Sequence, residues 1–260
     1  MTKTDNQRRF QGVDKIYGTV GTQQLQQAHI CIVGLGGVGS WAVEALARSA
    51  VGELTVIDMD HVAESNINRQ IQATTTTLGQ AKTLALQERI HSINPVCQVN
   101  VIDDFVTVDN QDELLTHDYD WVIDCIDNYR VKAAMIAYCK RQKIKIITMG
   151  GAGGMVDPSR IKVVDMARTK QDPLLAKTRK LLRQEYNFPQ NPKRRFSIPC
   201  VFSEENLRYP DTKGGLTGQK PAESAVTGLN CATGFGSAVA VTATFGFFAA
   251  AYVLNKIASV

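Results

Sequence analysis

Between His29 and Ser40 the chain runs HICIVGLGGVGS, a stretch that few folds can accept. The apolar run Ile30, Cys31, Ile32, Val33 reads as a buried parallel strand. It leads directly into Gly34-Leu35-Gly36-Gly37-Val38-Gly39, which satisfies G-x-G-x-x-G. Trp41 to Ala47 then carry an amphipathic helical pattern. Strand, glycine turn and helix in that order suit a bound phosphate. Glycines let the backbone come close, and the first helical turn holds unpaired N–H groups. Small residues also serve plain strand–helix packing; the flanking strand and helix are what point to a nucleotide.

The rest of the chain alternates strands and helices, as a doubly wound sheet requires. Glu53–Asp58 is a second strand, and Asp58 ends it 19 residues beyond Gly39. A carboxylate at that distance binds ribose hydroxyls, though strand-end Asp also caps turns. Asp60–Gln80 is longer than a plain crossover and holds Ser65-Asn66-Ile67-Asn68-Arg69-Gln70. Asn, Arg and Gln donate to anionic oxygens, Arg bidentately, which suits a triphosphate under attack. A polar surface loop with Asn turns is the other reading. Ala81 and Lys82 open a helix through His91, from which Lys82 either reaches the same phosphates or is solvated. Gln98–Ile102 and Asp120–Ile123 are further strands, with a short helix over Asp109–His117 between them. Asp124-Cys125-Ile126-Asp127-Asn128 follows the fourth strand, where open sheets bind ligands. Asp127 can hold Mg²⁺ or take a proton there, or cap the helix Tyr129–Arg141. Lys145–Met149 is a fifth strand running into the glycine-rich Gly150–Gly154.

Beyond Met155 the pattern changes. Arg160–Met166 alternates like an antiparallel edge strand, Pro173–Tyr186 is a basic helix, and Ser197–Ser203 is a strand. Pro189–Arg195 and Tyr209–Ala222 read as mobile crossover loops. Arg168–Arg195 holds nine Lys/Arg against Asp172 and Glu185, although the whole chain is only +4. That segment is either a nucleic-acid surface or a solvated helix face. Leu229–Asn255 has no charged residue. Its length fits a membrane span, but its Gly, Ala, Thr and Ser content favours a buried helix over the sheet. Six cysteines without a C-x-x-C argue for a reducing cytoplasm and against a zinc ribbon. The polar N-terminus has no signal-peptide pattern.

These positions together resemble the ATP-dependent adenylating superfamily of ubiquitin-activating enzymes and the bacterial activators of sulfur-carrier proteins. The residues that carry the likeness are the glycine turn with Ser40, Asp58-x-Asp60, Asn66-x-x-Arg69-Gln70, Lys82 and Asp124-x-x-Asp127-Asn128. Within the superfamily, the Arg8-Arg9-Phe10 start, Val201-Phe202-Ser203-Glu204 and the Gly-rich apolar tail look most like the tRNA threonylcarbamoyladenosine dehydratases. The resemblance implies an α/β, Rossmann-like doubly wound and mostly parallel sheet. An antiparallel C-terminal extension and a C-terminal apolar helix complete it. Residues 1–260 then form one adenylating unit: a helical arm (1–28), a nucleotide-binding core (29–154) and a substrate-facing extension (155–260). It assigns Gly34, Gly36, Gly37 and Gly39 to the phosphates and Asp58 to the ribose. Asp60, Asn66, Asn68, Gln70 and Asn128 join them around the nucleotide. Arg69, Lys82 and Asp127 are the catalytic set, with Asp127 on Mg²⁺.

The expected reaction is ATP-dependent cyclising dehydration of threonylcarbamoyladenosine in tRNA, through an acyl adenylate, by a cytoplasmic homodimer. Two departures stand out. The sulfur-carrier activators place an Arg near their start to reach the partner's site; counted from Arg9, Gly12 stands there, leaving Arg8 or Arg9 for the role. The zinc C-x-x-C pairs are missing. The alternatives are adenylation of a sulfur carrier's C-terminus, with a cysteine desulfurase or sulfur-acceptor system as partner, a NAD-dependent dehydrogenase, and a non-catalytic nucleotide-binding scaffold. Membrane association through 229–255 is the minority reading of the tail.

Overall fold

In the computed structural model, which describes residues 3–211, 213, 215–218 and 236–259, seven strands form one sheet in the order β3-β2-β1-β4-β5-β7-β6. The glycine-turn strand β1 (His29–Val33) lies between β2 (Glu53–Ile57) and β4 (Trp121–Asp124). Beyond them come β3 (Gln98–Ile102) on one side and β5 (Ile146–Met149) and β7 (Pro199–Ser203) on the other. All of these pairs are parallel. Only β6 (Ile161–Asp165), at the edge beyond β7, is antiparallel, as its alternation predicts. The order reverses between β1 and β4, and a doubly wound sheet opens its ligand crevice at that reversal.

Both faces of the sheet are covered, so its central strands are apolar throughout. Ile30 and Ile32 point into one core, with Val43 and Leu46 of α2 (Gly39–Arg48) and Leu86 and Ile90 of α3 (Lys82–Ile93). Cys31 and Val33 point the other way, with Ala133 to Cys139 of α5 (Tyr129–Gln142) and Leu175 and Leu182 of α6 (Pro173–Glu185). A single turn, α4 (Gln111–Leu114), stands where Asp109–His117 is expected to be helical. Asn110 forms a side-chain turn by accepting from the Thr107 N–H, which keeps 107–110 out of the helix. The arm is α1 (Lys3–Gln27), kinked at Gly18, whose φ of 70° lies in the left-handed region.

The C-terminal helix α7 (Val239–Ile257) begins ten residues later than the apolar stretch suggests; 229–235 lie outside the described residues. Phe245, Ala249, Ala250 and Val253 of α7 are fully buried in the first core. Its small residues have a packing reason: a Cβ on Gly246 would lie 2.5 Å from the Val38 carbonyl oxygen and 2.8 Å from the Ala42 nitrogen. The helix therefore touches the start of α2 backbone to backbone. Tyr209–Ala222, expected as a mobile crossover loop, contains paired strands β8 (Tyr209–Pro210) and β9 (Leu216–Thr217); 212, 214 and 219–222 lie outside the described residues.

Candidate active site

A cavity of about 680 Å³ opens over the carboxyl ends of β1, β2, β4 and β5. Its first wall is the glycine turn. Gly34 has φ of 87°, a left-handed conformation, and its N–H donates to Ile57 O on the neighbouring strand. Gly39 sits so close to this turn that a Cβ would lie 1.8 Å from the Gly34 carbonyl oxygen. Gly34, Gly36, Gly37 and Val38 line the cavity, and Gly39 behind them lets the helix pack closely on the strand. No side chain caps the N-terminus of α2, which starts at this wall. Its positive dipole end is therefore available to an anion.

Asp58, one residue past β2, is buried, and both its oxygens accept backbone N–H groups. Oδ2 takes Leu35 at 2.6 Å and Oδ1 takes Asp60 at 2.9 Å. It thus ties the glycine turn to the second strand. Burial pushes its pKa up, against the opposing pull of Lys82 and the two N–H donors. Each carboxylate oxygen has a further lone pair, so ribose hydroxyls remain within its capacity.

The Asn66–Gln70 segment is built into the site and is not a loose surface loop. Asn66 and Gln70 are buried, with Asn66 Oδ1 accepting from the Ala63 N–H at 3.1 Å. Gln70 accepts from Gln72, whose amide also donates to Leu35 O at 3.0 Å. Arg69 is held from behind, where the Trp41 indole donates to its carbonyl at 2.9 Å. Its guanidinium donates to Ser65 O at 2.6 Å and Asn68 Oδ1 at 2.9 Å, and its stem packs on Gly37. Asn68 does not line the cavity; it positions Arg69 and donates to Ser237 O at 3.1 Å. Lys82, first residue of α3, is buried and pairs with Asp60 at 2.6 Å, and both line the cavity. Two cations therefore flank the glycine wall.

Across the crevice, β4 ends in Asp124, which is fully buried with Lys132 of α5. Lys132 donates to Asp124 Oδ2 at 2.7 Å and to Thr148 Oγ1 at 3.2 Å; Thr148 donates to the same oxygen at 2.6 Å. Asp124 Oδ1 accepts from the Ile126 N–H at 3.2 Å, which shapes the turn carrying Asp127. The two readings of this turn divide between neighbours. Asn128 is the N-cap of α5, accepting from the N–H groups of Arg130 and Val131, although it also lines the cavity. Asp127 is exposed to the cavity and pairs with none of the described residues.

The far end of the cavity is formed by Met149–Gly153, Met155, Gln171–Leu174, Ser203, Glu205 and Leu207. Buried Glu205 gathers the N–H groups of Val156 and Asp157 at 3.0 and 2.8 Å. On α6, Lys177 and Lys180 face solvent, as do Arg168, Lys170 and Lys193 to Arg195. With Leu174, Leu175, Leu181 and Leu182 as the apolar face, helical spacing puts Arg179 and Arg183 on the outer side, yet neither projects freely. Arg179 turns inward to donate to Thr169 Oγ1, and Arg183 stacks over the Phe196 ring at 5.2 Å. Burial holds the Arg179 pKa below its usual value.

The model of the ThiF family matches residues 7–258. The chain belongs to the ThiF family. Among its relatives in that family, the tRNA threonylcarbamoyladenosine dehydratase of Haemophilus influenzae is 52% identical over 258 residues, covering 99% of this chain and 96% of the relative. The solved structures of the E. coli tRNA N6-threonylcarbamoyladenosine dehydratase in complex with ATP and with AMP both superpose with a TM-score of 0.86. They are 46% and 47% identical, and each match covers 97% of this chain and 95% of the other.

Several residues in and behind this ThiF-family cavity carry no sequence signal that singles them out. Lys132 looks like a surface cation of a helix, and only the fold buries it against Asp124. Phe105, exposed in the cavity wall beside Asp104 and Thr107, lies in an acidic stretch that reads as a turn. Asp172 is the exception: Asp followed by Pro before an apolar run is an N-cap signature, and it caps α6.

Proposed function

We propose that this chain is an ATP-dependent tRNA threonylcarbamoyladenosine dehydratase. The observation that carries the reading is the continuity of the cavity. At one end it offers the glycine wall, Asp58, Arg69, Lys82 and Asp127 for a nucleotide; at the other it opens beside the basic helix α6. Arg69 and Lys82, both lining the cavity beside the glycine wall, supply the charge that a triphosphate under attack requires, which favours adenylation over the dehydrogenase alternative. A bound ATP would lay its phosphates along the glycine wall and the N-terminus of α2, its ribose on Asp58 and its adenine against Phe105 and Val106. Among the described residues no cluster of three metal-ligating side chains exists. Mg²⁺ nevertheless fits, because it is commonly held by one or two carboxylates together with substrate phosphates, here through Asp127. When bound, it neutralises charge on the phosphates.

In the proposed reaction the threonyl carboxylate of the modified adenosine attacks the α-phosphorus of ATP. Pyrophosphate leaves, and Arg69 and Lys82 stabilise the charge that develops. The neighbouring carbamoyl group closes on the acyl carbon, and the bond to AMP breaks. The substrate loses one water overall. Ring closure is intramolecular, so holding the chain in a reactive conformation can supply roughly 7–11 kcal/mol of barrier reduction in well-oriented cases.

The exposed side of α7, with Ala240, Phe247, Phe248 and Ala251, is the face proposed for the second subunit of a homodimer. The helix is long and apolar enough to cross a membrane, yet half of it is buried in the protein; we place it in the fold, in a cytoplasmic enzyme. Arg9 donates to Ser92 O and Ile93 O of its own chain, which favours Arg8 over Arg9 as the trans arginine. The sulfur-carrier alternative, with its desulfurase or sulfur-acceptor partner, needs a reactive thiol or a carrier. Burial holds the thiols of Cys31, Cys97, Cys125, Cys139 and Cys200 above their ordinary pKa, unsuited to persulfide transfer; Cys231 lies outside the described residues. Exchange of labelled pyrophosphate into ATP tests the reading. Exchange should require tRNA that carries threonylcarbamoyladenosine; exchange driven by a sulfur-carrier protein instead would reverse it.

A further inference from the structure

The two ends of α6 face different things. Its first turn is cavity wall, through Asp172, Pro173 and Leu174, while Lys177 and Lys180 further along present charge to solvent. One buried side chain fastens this helix to the glycine-rich far end of the cavity. Asp172 Oδ1 accepts from the Leu175 N–H at 2.9 Å, capping the helix. Its Oδ2 accepts from the Gly151 N–H at 2.9 Å, in the glycine run that follows β5. The two segments meet so closely at Gly150 that a Cβ there would lie 2.1 Å from Asp172 Oδ2. A second tie holds the helix in place, since Arg179 turns inward to Thr169.

We propose that Asp172 is a positioning residue that sets the register between a tRNA backbone laid on the exposed face of α6 and the glycine-rich cavity wall at Gly150–Ala152, along which the modified adenosine would reach the nucleotide. This rests on the tRNA reading above. Phosphate contacts locate a backbone without fixing it to a fraction of an ångström, whereas attack on a phosphorus and ring closure demand near-attack geometry. A rigid joint between the charged helix and the cavity wall converts the first into the second.

The test uses Asp172→Asn and Asp172→Ser in the full-length protein. Both residues cap helices about as well as Asp, but neither supplies two acceptor oxygens, so the cap survives and the tie to Gly151 is lost. The affinity for modified tRNA, its salt dependence and the affinity for ATP should stay as in the wild type. The kcat of tRNA dehydration should fall by about 10- to 100-fold in both variants, with KM for tRNA little changed. An unchanged kcat overturns the proposal. So does a weaker tRNA affinity at unchanged kcat, or a loss of kcat that tracks a loss of folded protein. Lys177→Glu with Lys180→Glu is the control for the underlying reading. If that pair leaves tRNA affinity and its salt slope unchanged, α6 is not a tRNA surface and the inference falls with it, whatever the Asp172 variants do.

Discussion

Replacing Lys132 by methionine keeps most of the apolar stem of the side chain but removes the ammonium group. Asp124, with no exposed surface, then keeps, among the described residues, only the Thr148 hydroxyl and the Ile126 N–H as partners. Removing one partner of a buried pair costs about 3–5 kcal/mol, because the remaining charge is left uncompensated. In a domain of this size each kcal/mol lowers Tm by about 2–4 °C, so the fall should be roughly 6–20 °C. Since Asp124 also shapes the turn that carries Asp127, ATP affinity should drop in the same variant. Adding Asp124→Asn should restore most of the lost stability, because the stranded charge is gone. Calorimetric or spectroscopic unfolding of the two variants beside the wild type measures both effects. A loss below about 1 kcal/mol for Lys132→Met, or a double variant no more stable than the single one, would refute the argument.

Asp58→Ala should weaken ATP binding by about 1–3 kcal/mol in titration calorimetry, the usual worth of hydrogen bonds to a charged group; unchanged affinity would take Asp58 out of the site. Arg69→Ala and Lys82→Ala should slow pyrophosphate exchange far more than they weaken ATP binding, since their charge matters most as the phosphorus is attacked. Full turnover in either variant would remove that residue from the reaction. Cys125→Ala and Cys200→Ala should retain tRNA dehydration, because burial raises both thiols above their ordinary pKa and disfavours the nucleophilic thiolate. Inactivity of a folded variant would point to a covalent thioester route.

The sheet was legible because its strands are short apolar runs bounded by turns and its first turn is glycine-rich. The positions of Asp58, Arg69, Lys82 and Asp127 around one cavity follow from the rule that such sheets bind ligands beyond their strand ends. What the sequence leaves open is which polar residues the fold buries. Lys132, Asn66 and Gln70 are as polar as their solvated neighbours, and only tertiary packing takes them out of water. Asn68 and Gly39 sit within the motifs yet serve the site indirectly, one by holding Arg69 and the other by letting a helix approach a strand. Arg179 and Arg183 show the limit of helical periodicity on α6. A long cation at the border of an apolar face turns inward when an acceptor or an aromatic ring lies within reach.

The central claim is that this chain removes water from a threonylcarbamoyl group on tRNA at the expense of ATP. Purified protein should be incubated with ATP, Mg²⁺ and tRNA carrying threonylcarbamoyladenosine, and the tRNA then digested for nucleoside mass analysis. The account expects the modified nucleoside to be converted to a species lighter by one water, with one AMP formed for each conversion and none without ATP. An unchanged nucleoside, in the presence of protein shown to bind ATP, would contradict it.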